Sequence, residues 1–306
     1  MLTTAAIQGD FSEDVWEAER ILAANGMFKC RHPQKENTLV VVKQVRLSDP
    51  DTYRKAALRR EIDFYTRKDR RTARLRPHFE GTESNEHGLH LCLKFMERGS
   101  IKELSRQGSI TQDLIVRYAS EVASALKHLH GKSIIWNGCC ADHVLLNARG
   151  QLRLVSFGLS QDGSGDLAEE FRHAKLDHRF RWMAPEAFRD LQYSPKTDIW
   201  AFGCFVVEML TGEDPHCDCE NVEQVTEKVA RAPDPRPVVR YPDETVIKAI
   251  PQILDQAFMC EPAKRATAAE IMDSLAHFTT KAVSEAGRSP GTQRKVATSK
   301  AARRVP

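Results

Sequence analysis

The run from Ile134 to Ser160 constrains this chain more than any other. Two short apolar segments, Val144-Leu145-Leu146 and Leu152-Arg153-Leu154-Val155, lie either side of a turn at Arg149-Gly150. A polar loop precedes them and Phe157-Gly158 follows. Apolar segments of that length around a glycine-containing turn predict a small hairpin, entered from a polar loop and left through a second turn. The rest of the chain is expected to form the frame around it.

In this order, loop, hairpin and turn resemble the core of the protein kinase family, where a catalytic loop H-R-D-x-x-x-x-N leads through two short strands to D-F-G. Laid on that pattern, Trp136, Asn137 and Gly138 stand at the H-R-D positions, His143 at the Asn position and Ser156 at the Asp of D-F-G. In the family the first Asp accepts the substrate hydroxyl proton, while the Asn and the second Asp hold magnesium against the transferring phosphate. Gly138 has no side chain to accept a proton. Ser156 is neutral and cannot replace the charge of a hard-cation ligand, and the nitrogen of His143 is ill suited to magnesium, which takes oxygen. Loss of one preorganised electrostatic group costs roughly a hundredfold to a thousandfold in rate. Three positions have changed here, although losses within one constellation need not add. No catalytic residue is retained on this reading and no metal site is expected.

The resemblance extends from about Ile21 to Phe278. Ile21 to Phe28 sits where the family places its Gly-rich phosphate loop, and Gly26 alone remains of that motif; just before it, Glu13 to Asn25 fits either a short helix or the entry to a strand. Val40-Val41-Val42-Lys43 follows a polar turn as a buried strand and resembles V-A-I-K, whose lysine reaches the nucleotide phosphates. The periodicity of Ala56, Leu58, Ile62 and Tyr65 predicts a helix over Tyr53 to Arg67, and Glu61 falls where the family pairs a helix glutamate with that lysine. Leu89 to Glu97 alternates as a strand and leads into a segment resembling the hinge between kinase lobes. The resemblance then implies Leu93 at the gate of a nucleotide pocket, Lys94, Phe95 and Met96 offering backbone hydrogen bonds, and Leu145 among the nucleotide-contacting positions. A helix is predicted over Thr111 to His130.

The segment Leu159 to Met183, corresponding to the activation segment, has no Tyr or Thr and only Ser160 and Ser164 as hydroxyl residues. Active kinases often order it through a phosphate paired with the H-R-D arginine, which is Asn137 here. Asp166, Glu169 and Glu170 form either a phosphate surrogate or a solvated loop. Arg181-Trp182-Met183-Ala184-Pro185-Glu186 resembles A-P-E in the form of the tyrosine-kinase and tyrosine-kinase-like group, Asp198-Ile199-Trp200-Ala201-Phe202-Gly203 the buried helix of the family, and Pro262 to Thr267 its late arginine motif. The implied roles are structural: Glu186 pairs with Arg265, and Asp198 holds the backbone of the catalytic loop. Trp136 is expected to fill the base of the internal side-chain stack and favour one lobe arrangement.

The fold class implied is α+β and bilobal, with a small, mainly β N-lobe carrying one helix (about 21–93), a hinge (94–97) and a large helical C-lobe (98–278). Residues 1–20 form an N-terminal extension. From Thr279 onward seven basic residues face Glu285 alone, so this tail carries +6 and the remainder −3 of the net +3. Its Ala, Ser, Thr and Gly content without apolar periodicity predicts disorder. It reads as a solvated linker, a contact for nucleic acid or anionic membrane, or a docking segment; the linker is preferred and nucleic acid is not expected. The basic run Arg54 to Arg76 offers either a face for an acidic or phosphorylated partner or a solvated helix surface.

No uncharged apolar stretch of about 18 residues exists, and Met1-Leu2-Thr3-Thr4 opens no secretory signal, so neither a membrane span nor export is expected. The eight cysteines fit free thiols in a reducing cytosol. Asp142 as a surrogate base, Cys139-Cys140 as a redox pair and His216, Cys217 and Cys219 as a zinc site are each weaker than their structural alternatives. The expected function is that of a pseudokinase, a signalling scaffold or allosteric partner of an active kinase or other signalling protein. It is expected in the cytoplasm with access to the nucleus, requires no cofactor, and is compatible with weak ATP binding without magnesium. The alternative is a slow or unconventional ATP-dependent kinase using Lys43 and Glu61.

Overall fold

The computed structural model describes residues 18–23, 27–32, 35, 38–46, 48, 51–85, 88–161, 179–239 and 249–276. The tail from Thr279, the extension before Ala18, Gly26 and the acidic run at Asp166 lie outside them.

Strands β1 (Ala18–Ala23), β2 (Met27–Arg31), β3 (Leu39–Arg46), β4 (Phe79–Asn85) and β5 (Gly88–Lys94) form an antiparallel five-stranded sheet in the order β1-β2-β3-β5-β4. The segment left open between helix and strand is therefore a strand over Ala18–Ala23. Side chains alternate along β3 as a pleated strand requires. Val40 and Val42 pack with Cys30 and Cys92 on one face, which turns Lys43 to the other, toward helix α1 (Thr52–Thr66).

Helix α1 is capped by Asp51, whose carboxylate accepts the Arg54 amide at 3.1 Å. Its buried stripe is Leu58, Glu61, Phe64 and Tyr65, so the apolar periodicity carries one carboxylate onto the buried face. The basic run is divided: α1 ends at Thr66, and the short α2 (Arg70–Leu75) follows from a cap at Asp69.

Below the sheet come α3 (Ile101–Arg106), α4 (Gln112–His130), α5 (Pro185–Asp190), α6 (Pro195–Thr211), α7 (Val222–Arg231) and α8 (Ala249–Ala257). Thr111 caps α4, and Gly131 follows its last residue, His130. Helix α6 is buried continuously from Thr197 to Met209, the signature of a central helix surrounded by others. A Ser194–Thr197 capping box starts it and Gly212, at φ 73°, ends it in the left-handed conformation that glycine tolerates. The hairpin β6 (Val144–Leu146) and β7 (Leu152–Leu154) turns through Gly150, with Asn147 Oδ1 accepting the amides of Arg149 and Gln151. The main hydrophobic core runs from the inner face of the sheet through the hairpin to α6 and α8.

Candidate functional site: the cleft between the sheet and the 136–143 loop

The site lies where β3, α1, the 136–143 loop and residues 156–158 converge. Lys43 Nζ donates to Glu61 Oε2 at 2.6 Å, and Glu61 Oε1 accepts the Phe157 amide at 3.2 Å. Burial raises the Glu61 carboxyl, but Lys43, the Phe157 amide and the charge of Arg179 outweigh it and leave it below the usual range. One carboxylate thus joins sheet, helix and the Phe157 turn. The Phe157 ring stacks on Phe64 at 3.7 Å between centroids and lies 5.8 Å from Trp136, which is fully buried. Trp136 completes an aromatic column from α1 down to the loop.

The loop itself is held by its backbone. Asp198 accepts the amides of Trp136 and Asn137, each at 2.8 Å, and His130 Nε2 lies 2.9 Å from the same carboxylate. Asn137 (φ 54°) and Ser156 (φ 66°) both adopt the left-handed region. Asparagine tolerates that conformation and serine does so at a cost, so the surrounding contacts must hold Ser156 there.

The side chains on this backbone are engaged elsewhere. Gly138 carries none, and a Cβ placed there would sit 2.6 Å from Trp136 Nε1 and 2.9 Å from the Ser156 carbonyl oxygen. His143 Nδ1 donates to the Gly138 carbonyl at 2.7 Å. Burial first, then the charge of Arg179, lowers its pKa to about 4, so the ring is neutral at physiological pH. Arg179 Nη2 donates to Ser156 Oγ at 3.3 Å. Asn137 Nδ2 donates to the Leu159 carbonyl at 3.1 Å, binding the loop to the chain beyond Phe157. The magnesium that the kinase family uses does not fit this set: a neutral imidazole and a hydroxyl occupied by a guanidinium replace two oxygen ligands. Among the described residues no cluster of three or more His, Cys, Asp or Glu could hold a metal.

At the hinge, the amides of Lys94 and Phe95 donate to the carbonyls of His78 and Leu39 at 2.9 and 3.0 Å. Of the three residues expected to offer backbone hydrogen bonds, Lys94, Phe95 and Met96, the first two have their amides committed to the protein. Leu93 and Met96 are buried and Leu145 is half-buried in β6. Beside the loop a cavity of about 300 Å³ is lined by Gly138, Cys139, His143, Arg179, Met183 and Tyr193, among others.

Below the loop, Arg265 grips Glu186 in a bidentate pair at 2.6 and 3.0 Å, donates also to the carbonyls of Met259 and Lys196, and lies over the Trp200 ring. Sequence reasoning missed a second buried network. Lys102 Nζ donates to Glu208 at 2.9 Å and to Asp214, while Glu208 also accepts the Ala141 amide at 2.8 Å and Trp182 Nε1 at 2.9 Å. The available signal was a lone carboxylate inside the apolar run Phe205 to Leu210. Arg179 was missed too, since it belongs to no motif.

The other candidates are structural in form. Cys139 and Cys140 are buried, and burial first, then nearby acidic charge, pushes both thiols far above their ordinary pKa, against thiolate chemistry. Burial raises the Asp142 carboxyl as well. In the basic run, Arg60 donates to the Gly158 carbonyl and Arg76 is buried over the Tyr65 ring, whereas Arg59, Arg67, Lys68, Arg70, Arg71 and Arg74 are exposed. No described helix is long and apolar enough to cross a membrane.

Sheet, helix α1, buried α6 and the loop held by Asp198 together define a two-lobed protein of the kinase fold. The family model of the protein kinase domain matches residues 25–275, and the chain belongs to that family. It is similar to the serine/threonine-protein kinase PAK mbt of Drosophila melanogaster, 28% identical over 184 residues that cover 60% of this chain and 28% of the relative. It is also similar to the mitogen-activated protein kinase kinase kinase MST11 of Pyricularia oryzae, at 27% over 288 residues (87% and 31%), and to mitogen-activated protein kinase kinase kinase 9 of Arabidopsis thaliana, at 30% over 198 residues (64% and 24%). The chain therefore spans about a quarter to a third of these relatives' length. PAK mbt is by name a serine/threonine kinase, and none of the three names supports the narrower tyrosine-kinase-like grouping.

Proposed function

We propose that this chain is a catalytically impaired kinase-fold protein that acts by binding, as a signalling scaffold or allosteric partner of an active kinase or other signalling protein, in the cytoplasm with access to the nucleus. The observation that carries this reading is the state of residue 138. It has no carboxylate, and the first atom of any side chain there would meet the Trp136 indole and the Ser156 carbonyl. The engagement of His143 and Ser156 by protein partners supports it further. Relatives named as kinase kinase kinases make signalling partners the natural class. The exposed cations of the α1–α2 run suit an acidic or phosphorylated one.

A second reading, a slow or unconventional kinase, has one observation in its favour. Lys43, Glu61 and Phe157 are assembled as phosphate transfer requires. The test is transfer of labelled phosphate from ATP, with magnesium or manganese, to the chain itself and to generic protein substrates. The proposal expects no rate above that of Lys43→Ala; a rate abolished by that substitution overturns it.

A further inference from the structure

Two fixed cations, Lys43 and Arg179, stand in the cleft at the place where its family relies on a metal. Lys43 and Arg179 both act on the one carboxylate of Glu61, and both act on His143, which stays uncharged. Arg179 reaches this place from the far side of the 162–178 segment, and its Nη2 meets the side chain that stands at the second metal-ligand position. Its Nη1 is buried and has no hydrogen-bond partner. A buried guanidinium nitrogen left unpaired costs free energy, and an acceptor arriving beside it recovers that cost.

We infer that Arg179 stands in for the divalent cation of this cleft, so that the site takes a nucleoside triphosphate in its metal-free form and magnesium weakens the binding. The inference rests on the proposed non-catalytic reading and adds the residue that supplies the charge. A guanidinium presents several N–H donors in a fixed fork that matches phosphate oxygens. A magnesium ion entering with the phosphates would meet Arg179 as a like charge and, at positions 156 and 143, a hydroxyl already held by Arg179 and a neutral imidazole. Metal-free ATP also carries more negative charge than its magnesium complex, and the cleft's two cations favour the more charged form.

The experiment is titration of the full chain with ATP by calorimetry, in EDTA and in excess magnesium, for the wild type, Arg179→Ala, Arg179→Lys and Lys43→Ala. Folding of each variant is checked by its unfolding midpoint without ligand. The expected result is binding in EDTA that weakens severalfold in magnesium. Arg179→Ala should lose roughly ten- to a hundredfold in affinity, the range of a hydrogen bond to a charged group, and with it the sensitivity to magnesium. Arg179→Lys should keep part of the affinity, because a point charge remains without the fork. Binding that requires or is strengthened by magnesium overturns the inference. So does EDTA binding that Arg179→Ala and Arg179→Lys leave unchanged, or no binding at millimolar ATP. In each case phosphate transfer, measured separately, decides the non-catalytic reading on its own.

Discussion

Placing a carboxylate at position 138, where the family pattern has Asp, by Gly138→Asp should fail to create phosphate transfer, and the reason is measurable. A Cβ at this position would lie 2.6 Å from Trp136 Nε1, 3.0 Å from its Cε2 and 2.9 Å from the backbone oxygen of Ser156. Relief by moving the indole is opposed on two sides: Nε1 donates to the Val155 carbonyl at 3.2 Å, and the ring packs against Phe157 in a fully buried column. Overpacking of this kind costs about 1–3 kcal/mol. Gly138→Ala isolates the steric part, since alanine adds the Cβ alone. In urea unfolding at constant slope it should lower stability by that amount, and in thermal unfolding it should lower the midpoint by roughly 2–4 °C per kcal/mol for a domain of this size.

The clash also predicts a coupling. Trp136→His empties part of the column and is destabilising by itself, but it removes the two indole atoms that oppose residue 138 and leaves only the Ser156 carbonyl oxygen. In a double-mutant cycle, Gly138→Ala should therefore cost less by about 1 kcal/mol or more in the Trp136→His background, within the usual range for residues in contact. Gly138→Ala indistinguishable from wild type, additive behaviour of the pair, or phosphate transfer regained by Gly138→Asp alone would each refute the reasoning.

Other expectations follow from the buried charges. Glu186→Ala strands the guanidinium of Arg265 and should destabilise the chain by about 3–5 kcal/mol in the same unfolding assay. Lys102→Met should cost a similar amount by leaving Glu208 without its cation, and the pair Lys102→Met with Glu208→Met should recover much of it. His216 is buried with neither ring nitrogen bonded, and burial first, then the Lys228 charge, lowers its pKa from 6.5 to about 4. Between those values the unfolded chain gains a proton that the folded chain refuses, so stability must fall as pH falls through the window, by up to about 3 kcal/mol from this residue. His216→Asn, which keeps a side chain tolerant of the φ of 56° there, should flatten the pH profile of unfolding free energy between pH 6.5 and 4.

The two-lobed fold was legible because its signals are local and periodic. The buried strand at Val40 to Lys43, the periodicity of Ala56, Leu58, Ile62 and Tyr65, and the turn at Arg149-Gly150 each fix an element within a few residues. Contacts between distant segments were not. Arg179 meets Ser156 across a stretch with no motif, and Lys102 meets Glu208 through two helices that only the fold brings together. Sequence displayed both the tryptophan at 136 and the glycine at 138, yet their steric dependence on one another appears only when the indole is placed. The hinge was half legible: its position came from the family resemblance after a strand read from Leu89 to Glu97, whereas the strand ends at Lys94 and the amides of Lys94 and Phe95 are taken by His78 and Leu39, residues of no recognisable pattern.

How the loop holds its shape follows from how it is anchored. Asp198 binds the amides of residues 136 and 137, and Glu208 binds the amide of Ala141. These bonds are indifferent to the side chains that the loop carries. Within such a scaffold the catalytic Asp, Asn and Asp can be exchanged for Gly138, His143 and Ser156 while the left-handed turns at Asn137 and Ser156 persist. The same indifference does not extend to Asp198 or Glu208, each of which satisfies several buried donors at once. A kinase fold can therefore lose transfer chemistry and keep a shaped, charged cleft, so long as the carboxylates beneath the loop remain. That asymmetry is consistent with the proposed binding role: positions 138, 143 and 156 present no carboxylate, while Lys43 and Arg179 present their cations beside Glu61 and Ser156.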